Sequence, residues 1–467
     1  MRTRALISSL VAALIALPAA VATADVPAVR PHPGAPGAGD PYFPLQGNGG
    51  YDVAHYDLRI NYHPKTHRLT GHEVIRATAT TALSRFDLDL RRFMHADTVR
   101  VDGRPATATQ PRALRQELVI TPARPIPAGH TFHVTIEYAG RPHAVHDPDG
   151  SLDGFIRTGD GAFVASEPQG SPTWFAVNDT PRDKAAYVIA INVPKGLTAV
   201  GNGQLSSYSL GGRRSNFVWT IGRPISSYLV TATIGRFVVR HGWTRNRVPY
   251  YTAVDPREAQ AAKVLRKLPA IIDFFSRKYG KYPFGAAGAI VDHAPRVGYA
   301  LETATRPLFD RAPSESTLAH ELAHQWYGDT VTLRRWRDIW LNEGFAEFSA
   351  WLWTEHTGGP SAAQRLRRLM NQPASAGYLW NPPPGNPESA KNVFSDSVYE
   401  RGAATLQALR EKVGDHTFFR IMRRWLAVHR YGNAEVGQFT AFAARLAHRD
   451  LTPFFRNWLY RHGKPRF

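Results

Sequence analysis

Between residues 51 and about 240 apolar residues recur at every second position in short runs. In "HYDLRINYH" Tyr56, Leu58, Ile60 and Tyr62 fall on one face, the period of a half-buried strand. "RFDLDLRR", "ELVITPA", "TFHVTIEYAG", "KAAYVIAINVP" and "SYLVTATIGRFVV" continue the pattern, each bounded by Gly, Pro or Asp. Such runs with turn residues between them predict an antiparallel sheet domain rather than βαβ units. Near residue 255 the period changes. "DPREAQAAKVLRKLPAIIDFFSRKYG" carries Leu265, Leu268, Ile272 and Phe275 at helical spacing. Asp255 is placed to cap this helix, Pro256 suits its first turn, Gly280 its end, and Pro269 predicts a kink. From there to residue 467 the chain reads as mostly helical, without an internal repeat.

Two stretches stand outside these patterns. Residues 1–24 join a short cationic start, an apolar run and the small residues "ATA", which predicts a secretory signal peptide cleaved after Ala24. The run is short for a bilayer span and contains Pro18, and no later segment has the length and apolarity of a membrane helix. A secreted protein is expected. Residues 25–50 are rich in Pro and Gly and read as a linker or loosely laid arm. The expected division is therefore 1–24, 25–50, a β domain at 51–240 and a second domain at 241–467.

Composition narrows the chemistry. The 467 residues include no cysteine, which removes disulfides, thiol catalysis and cysteine-based zinc sites. Formal net charge is +19, and loss of Arg2 and Arg4 with the leader leaves +17. Such a surface would associate weakly with anionic envelope polymers or lipid headgroups. The basic residues are scattered, so specific nucleic-acid binding is not expected. The assembly state is left open.

The densest chemical signal is "STLAHELAHQWYGD", residues 316–329. Residues four apart project from one helix face, so His320 and His324 can reach one ion. Ser314 or Ser316 could cap that helix, and Gly328 could end it. The H-E-x-x-H pattern alone arises by chance in about 3 of 100 chains of this composition, so a third ligand decides the matter. Glu343, in the amphipathic "RDIWLNEGFAEFSAWLW", lies nineteen positions after His324. Two imidazoles and one carboxylate give one Zn²⁺ three protein ligands and leave a fourth position open, the catalytic arrangement.

With these residues together, "HELAHQWYGD…WLNEGFAEF" resembles the zinc helix and following helix of the aminopeptidase N family, the thermolysin-like gluzincins. The likeness runs over roughly residues 40–467, since "YDVAHYDLRINY" and "FFRNWLYRHGKPRF" also fit. It implies an α+β multidomain fold, an N-terminal antiparallel β-sandwich-like domain followed by a thermolysin-like, mostly helical catalytic domain. It also implies a short form lacking the family's C-terminal helical domain, and hence a more open cleft. The activity implied is zinc-dependent release of N-terminal residues from peptides with a free N-terminus.

Other roles follow from the resemblance position by position. His320, His324 and Glu343 match the metal ligands, and Glu321 the residue that shuttles the proton. Tyr399 in "SVYERGAATL" matches the oxyanion donor. "GYALETATRPLF" stands where the family carries Gly-x-Met-Glu-Asn, making Glu302 a ligand for the substrate ammonium. Tyr299 replaces the motif's Gly, Leu301 its Met and Thr303 its Asn, which puts the first side-chain pocket in doubt but not the charge. Glu167 in "VASEPQGSPTWF" matches the second acid of that clamp.

Asp338 is either an orienting partner for a ligand imidazole or a capping acid, and Glu347 reads as a second acid behind the ligands or at the surface. "HDPDGSLDGF" (146–155) has three Asp but not the ligand order of a calcium loop, so it reads as a turn cluster. Trp351 and Trp353 read as core. Two other classes stay open: a zinc hydrolase of different selectivity (endopeptidase, small amide or epoxide hydrolase), or a non-catalytic envelope-binding scaffold. Glu302 with Glu167 discriminate the first, and the intact ligands, Glu321 and Tyr399 argue against the second.

Overall fold

Strand Tyr51–His63 buries Tyr56, Leu58, Ile60 and Tyr62 while Asp52, Arg59 and Asn61 face out. The computed structural model describes residues 30–114 and 116–467; the expected leader, 1–24, lies outside the described residues. This strand sits inside an eight-stranded sheet ordered Gln204–Ser209, Arg214–Ser226, Lys184–Pro194, Tyr51–His63, Arg68–Ala79, Thr131–Gly140, Met94–Val101 and Arg104–Pro105. Pairing is antiparallel except between Lys184–Pro194 and Tyr51–His63, where Tyr187 stands beside Tyr56 and their rings stack at 4.9 Å. With a four-stranded sheet it forms the expected sandwich-like β domain.

Two five-stranded sheets position the site. One is antiparallel and runs Ala144–His146, Leu152–Arg157, Ala162–Ala165, Ala232–Gly235, Thr198–Gly201; its third strand ends two residues before Glu167. The other runs Val238–Trp243, Pro249–Val254, Ala287–Val291, Leu308–Phe309, Ala300–Leu301, and its edge strand leads directly into Glu302. Three strands of this second sheet, Ala287–Val291, Ala300–Leu301 and Leu308–Phe309, lie within the stretch beyond residue 255 that the sequence pattern makes mostly helical. Ala287–Val291 is buried on both faces, so it shows no alternation to read.

The helix expected over 255–280 is broken. Asp255 Oδ1 accepts from the Arg257 N–H and caps a single 3₁₀ turn, Pro256–Glu258. Helices α1 (Ala261–Leu265) and α2 (Leu268–Tyr279) follow, with Pro269 in the first turn of α2. A proline there costs no intrahelical bond, so the chain restarts at Pro269 rather than kinking through it. Gly280, at φ +113°, ends α2 as expected.

The arm is also a correction. Residues 31–50 pack against the remainder: Phe43 is buried with its ring 6.0 Å from that of Trp336. Asp40 Oδ2 accepts from the Trp336 N–H at 2.8 Å, and Gln46 Oε1 from its indole N–H at 2.9 Å. One aromatic anchor and a few buried hydrogen bonds hold a segment that has no apolar period of its own.

Helices α3 (Glu315–His324) and α4 (Trp340–His356) carry the His and Glu motifs. After α5 (Ala362–Met370) and α6 (Gly377–Trp380), α7 (Asp396–Val413) packs on α4. The two approach closely through glycines: a Cβ on Gly402 would lie 3.0 Å from the Gly344 Cα and 2.7 Å from Trp340 Cδ1. The Trp340 indole N–H donates to the Gly402 carbonyl at 3.1 Å. Glu343 and Tyr399 sit next to this crossing, so it sets how near α7 brings the tyrosine to the ligands. No helix among the described residues is long and apolar enough to cross a membrane.

Candidate metal centre

Ser314, not Ser316, caps α3: its hydroxyl accepts from the Thr317 N–H at 3.0 Å. One turn on, His320 and His324 share the buried face of the helix, ring centroids 4.8 Å apart. The first turn of α4 brings Glu343 opposite them. Its Oε2 lies 3.3 Å from His320 Nε2 and 3.4 Å from His324 Nε2. Burial alone would raise the Glu343 carboxyl; the two imidazoles overcome this and hold it at about 2.

The far nitrogen of each ring is already engaged. His320 Nδ1 meets Glu347 Oε2 at 3.0 Å, and Glu347 Oε1 accepts from the Trp351 indole N–H at 2.7 Å. His324 Nδ1 donates to the Tyr327 carbonyl at 3.1 Å. Gly328 permits that approach, because a Cβ there would stand 3.0 Å from His324 Nδ1. The helix itself ends at His324, with Gln325 as its cap. Outer partners on both Nδ1 atoms aim both Nε2 atoms at one point beside a carboxylate. This donor set fits Zn²⁺: two nitrogens and one oxygen, mutually within 4.8 Å.

Glu347 therefore takes the orienting position behind His320. Asp338 does not; its Oδ1 accepts from the Val436 N–H at 3.0 Å, at the start of α9 (Val436–Ala447), with α8 spanning Asp415–His429. Trp351 and Trp353 are both buried as expected.

The remaining candidate residues, Glu321, Glu302, Glu167 and Tyr399, line one cavity of about 390 Å³ together with His320, His324 and Glu343. Glu302, Glu321 and His324 offer atoms mutually within 4.8 Å, and so do Glu167, Glu302 and Glu343. The Tyr399 ring lies nearly parallel to His320, centroids 5.9 Å apart. Burial pushes up the Glu321 carboxyl, pushes Glu302 to about 7, and pushes Glu167 well above the usual range with Glu302 adding to it. Burial likewise raises the Tyr399 phenol well above its ordinary value. Glu167 Oε1 and Glu302 Oε1 have no hydrogen-bond donor among the described residues.

Three supporting residues have no counterpart in the sequence reading. Gln325 ties α3 to the Glu302 segment, donating to the Glu302 carbonyl at 3.3 Å and accepting from the Thr305 N–H at 2.7 Å. Asn342 donates to the Tyr228 hydroxyl at 3.1 Å, linking α4 to the β domain beside the Glu302 and Glu167 carboxylates. Gln325 and Asn342 stand inside the quoted metal-site motifs, and Tyr228 inside the quoted apolar run "SYLVTATIGRFVV", where it reads only as a strand residue.

A β domain delivering acids to an H-E-x-x-H helix and a downstream glutamate defines a zinc-metallopeptidase class of architecture. Comparison with known proteins gives the family. The Peptidase M1 N-terminal domain matches residues 53–229, and the Peptidase family M1 domain matches residues 300–458. The chain belongs to peptidase family M1. It is 26% identical over 459 residues to glutamyl aminopeptidase of Rattus norvegicus, covering 88% of this chain and 47% of that protein. To aminopeptidase M1-C of Oryza sativa subsp. japonica it is 25% identical over 327 residues, covering 63% of this chain and 36% of that protein. The chain thus spans about half the length of the curated relatives it matches. The crystal structure of an M1 zinc metallopeptidase from Deinococcus radiodurans superposes with TM-score 0.81 at 26% identity, covering 92% of this chain and 98% of that one. A mutant of that metallopeptidase bound to a Tyr-Ser-Ala substrate gives TM-score 0.80 at 26% identity, covering 92% and 99%.

Proposed function

We propose that the protein is a secreted zinc aminopeptidase that releases single residues from peptides with a free N-terminus. One observation carries the exopeptidase part: two buried carboxylates, Glu302 and Glu167, stand beside the ligand Glu343 with oxygens mutually within 4.8 Å. An α-nitrogen and the carbonyl carbon of the same residue are about 2.5 Å apart. An ammonium held by this pair therefore sets the first peptide carbonyl against the metal ligands, and no other. The leader pattern of residues 1–24 supports export.

His320, His324 and Glu343 would hold the zinc, which when bound supplies Lewis acidity, polarising a carbonyl and lowering the pKa of water to about 7. Glu321 takes the proton of the attacking water on its carboxylate and returns it to the leaving amine nitrogen. Its place next to His320, on the cavity wall, supports this. Tyr399 donates its hydroxyl proton in a hydrogen bond to the carbonyl oxygen as negative charge develops there. Glu302 and Glu167 pair with the ammonium, which supplies donors for their free oxygens.

The test is Glu321→Gln with free and N-acetylated aminoacyl amides. The variant should keep its zinc and lose at least ~10²-fold in kcat, and N-acetylation should abolish cleavage by the parent enzyme. Near-normal turnover in the variant would sink the proton shuttle. Equal cleavage of blocked and free substrates would sink the exopeptidase reading.

A further inference from the structure

Beyond the clamp, the cavity has a wall that the chemistry above does not use: Asp149, Ser151 and Tyr299. Asp149 lies on the turn that joins Ala144–His146 to Leu152–Arg157, the cluster of aspartates in "HDPDGSLDGF". The turn is rigidly tied. Asp149 Oδ1 accepts from the Ser151 N–H at 2.9 Å and its hydroxyl at 2.6 Å. Asp147 Oδ1 accepts from the Gln169 side-chain amide at 2.7 Å, and Asp153 Oδ2 from the Gln169 N–H at 2.9 Å. Gln169 is two residues from Glu167, so the turn is registered to the clamp. From the other side, Tyr299 donates its hydroxyl to the Leu152 carbonyl at 2.6 Å, joining the turn to the strand that leads into Glu302.

Asp149, Tyr299, Glu167 and Glu302 line one cavity of about 390 Å³, so a residue whose ammonium lies between Glu167 and Glu302 has this wall within the same cavity as its side chain. That wall offers an aromatic ring and a carboxylate with one oxygen not engaged by the turn. The unpartnered Glu167 Oε1, on a side chain more than nine-tenths buried, opens on the same cavity. Five of the lining residues are acids and none is Lys or Arg, although the whole chain carries +19.

We infer that Asp149 and Tyr299 form a first side-chain pocket selective for basic N-terminal residues, arginine and lysine, and closed to acidic ones. The inference rests on the aminopeptidase reading and deepens it. Asp149 pairs with the guanidinium or ammonium of that residue, and the Tyr299 ring covers its stem and stacks on the cation. Tyr299 can do this because it stands where the family motif carries Gly. The glutamyl preference named for the rat relative would need a counter-charge that this wall does not supply.

The test is a panel of arginyl, lysyl, leucyl and glutamyl amides with the zinc-loaded parent, Asp149→Asn and Asp149→Lys. An independent arm measures Kd of free L-arginine and L-norleucine on Glu321→Gln and on its double variant with Asp149→Asn. Arginyl and lysyl amides should have the highest kcat/KM and glutamyl the lowest. Asp149→Asn should lower the arginyl-to-leucyl ratio about tenfold, with a matching loss in the L-arginine Kd relative to L-norleucine, and Asp149→Lys should lower it further. A ratio within twofold of the parent, or a parent that prefers glutamyl amide, overturns the inference while leaving the aminopeptidase reading intact. A parent that cleaves none of the free-amine amides overturns both.

Discussion

Replacing Glu347 by Ala removes no metal ligand, yet it should weaken zinc binding. The Glu347 carboxylate is the partner of His320 Nδ1 at 3.0 Å, and it is itself held by the Trp351 indole at 2.7 Å. Both His320 and Glu347 are largely withdrawn from solvent. Burial opposes charge on each; Glu343 and Glu347 nonetheless raise the imidazole well above its ordinary value, and the imidazole draws Glu347 below its own. A hydrogen bond to a charged group is worth about 1.5–3 kcal/mol. Its loss leaves Nδ1 unpaired and the ring free to turn, so about 2 kcal/mol of orientation is withdrawn from the site. That is about thirtyfold in Kd, inside the 10–100-fold range for outer partners of ligating histidines.

The assay is competition for Zn²⁺ against a chromophoric chelator, with circular dichroism to confirm folding. Glu347→Gln should fall between parent and Glu347→Ala, because its single carbonyl oxygen can accept from His320 or from Trp351 but not both. Asp338→Ala is the control. It should cost about 1–3 kcal/mol of stability by leaving the buried Val436 N–H at the start of α9 without its acceptor and leave zinc affinity unchanged. A Glu347→Ala Kd within threefold of the parent, or an Asp338→Ala Kd raised as much as that of Glu347→Ala, would refute the assignment.

Two further outcomes follow from packing and from burial. Gly402→Ala puts a methyl 2.7 Å from Trp340 and 3.0 Å from the Gly344 backbone, so α4 and α7 must part; thermal unfolding should show a loss of about 1–3 kcal/mol, with kcat falling more than KM changes as Tyr399 is drawn from Glu343. Asp292 is buried with Oδ2 unpartnered, and burial lifts its carboxyl to about 7. Its folded value exceeds the unfolded one, so its contribution is fully present below about pH 4 and is lost as pH rises through 7. Tm should therefore decline from pH 5 to 8, and Asp292→Asn should decline less.

The parts of the fold legible in sequence are those with a period. Tyr56 to Tyr62 alternate because one face of their strand is buried and the other wet, and Leu265 to Phe275 recur because α1 and α2 each bury a stripe. Ala287–Val291 is buried on both faces and pairs in parallel with Pro249–Val254 across a helical crossover, so neither alternation nor a hairpin turn marks it. Phe43 was invisible for a different reason: its partner, Trp336, lies almost three hundred positions away, and nothing around Phe43 repeats.

The site divides along the same line. His320 and His324 share one face of one helix, so two candidate ligands follow from one spacing, Glu321 between them takes its role from the family resemblance, and Glu343 is reached as the hard oxygen a zinc site of two imidazoles needs. Which acid stands behind His320 is a question of distance between helices. Asp338 and Glu347 bracket Glu343 in sequence at five and four positions, and only the helical turn from Glu343 to Glu347 keeps the second on the ligand face. Asp338 falls in the 3₁₀ turn before α4 and turns instead to the N–H of Val436. Position 299 shows the same limit: the motif comparison says that Tyr replaces the family's Gly and that the first side-chain pocket changes, and only the fold shows the hydroxyl donating to the Leu152 carbonyl at 2.6 Å, a tie that glycine could not make.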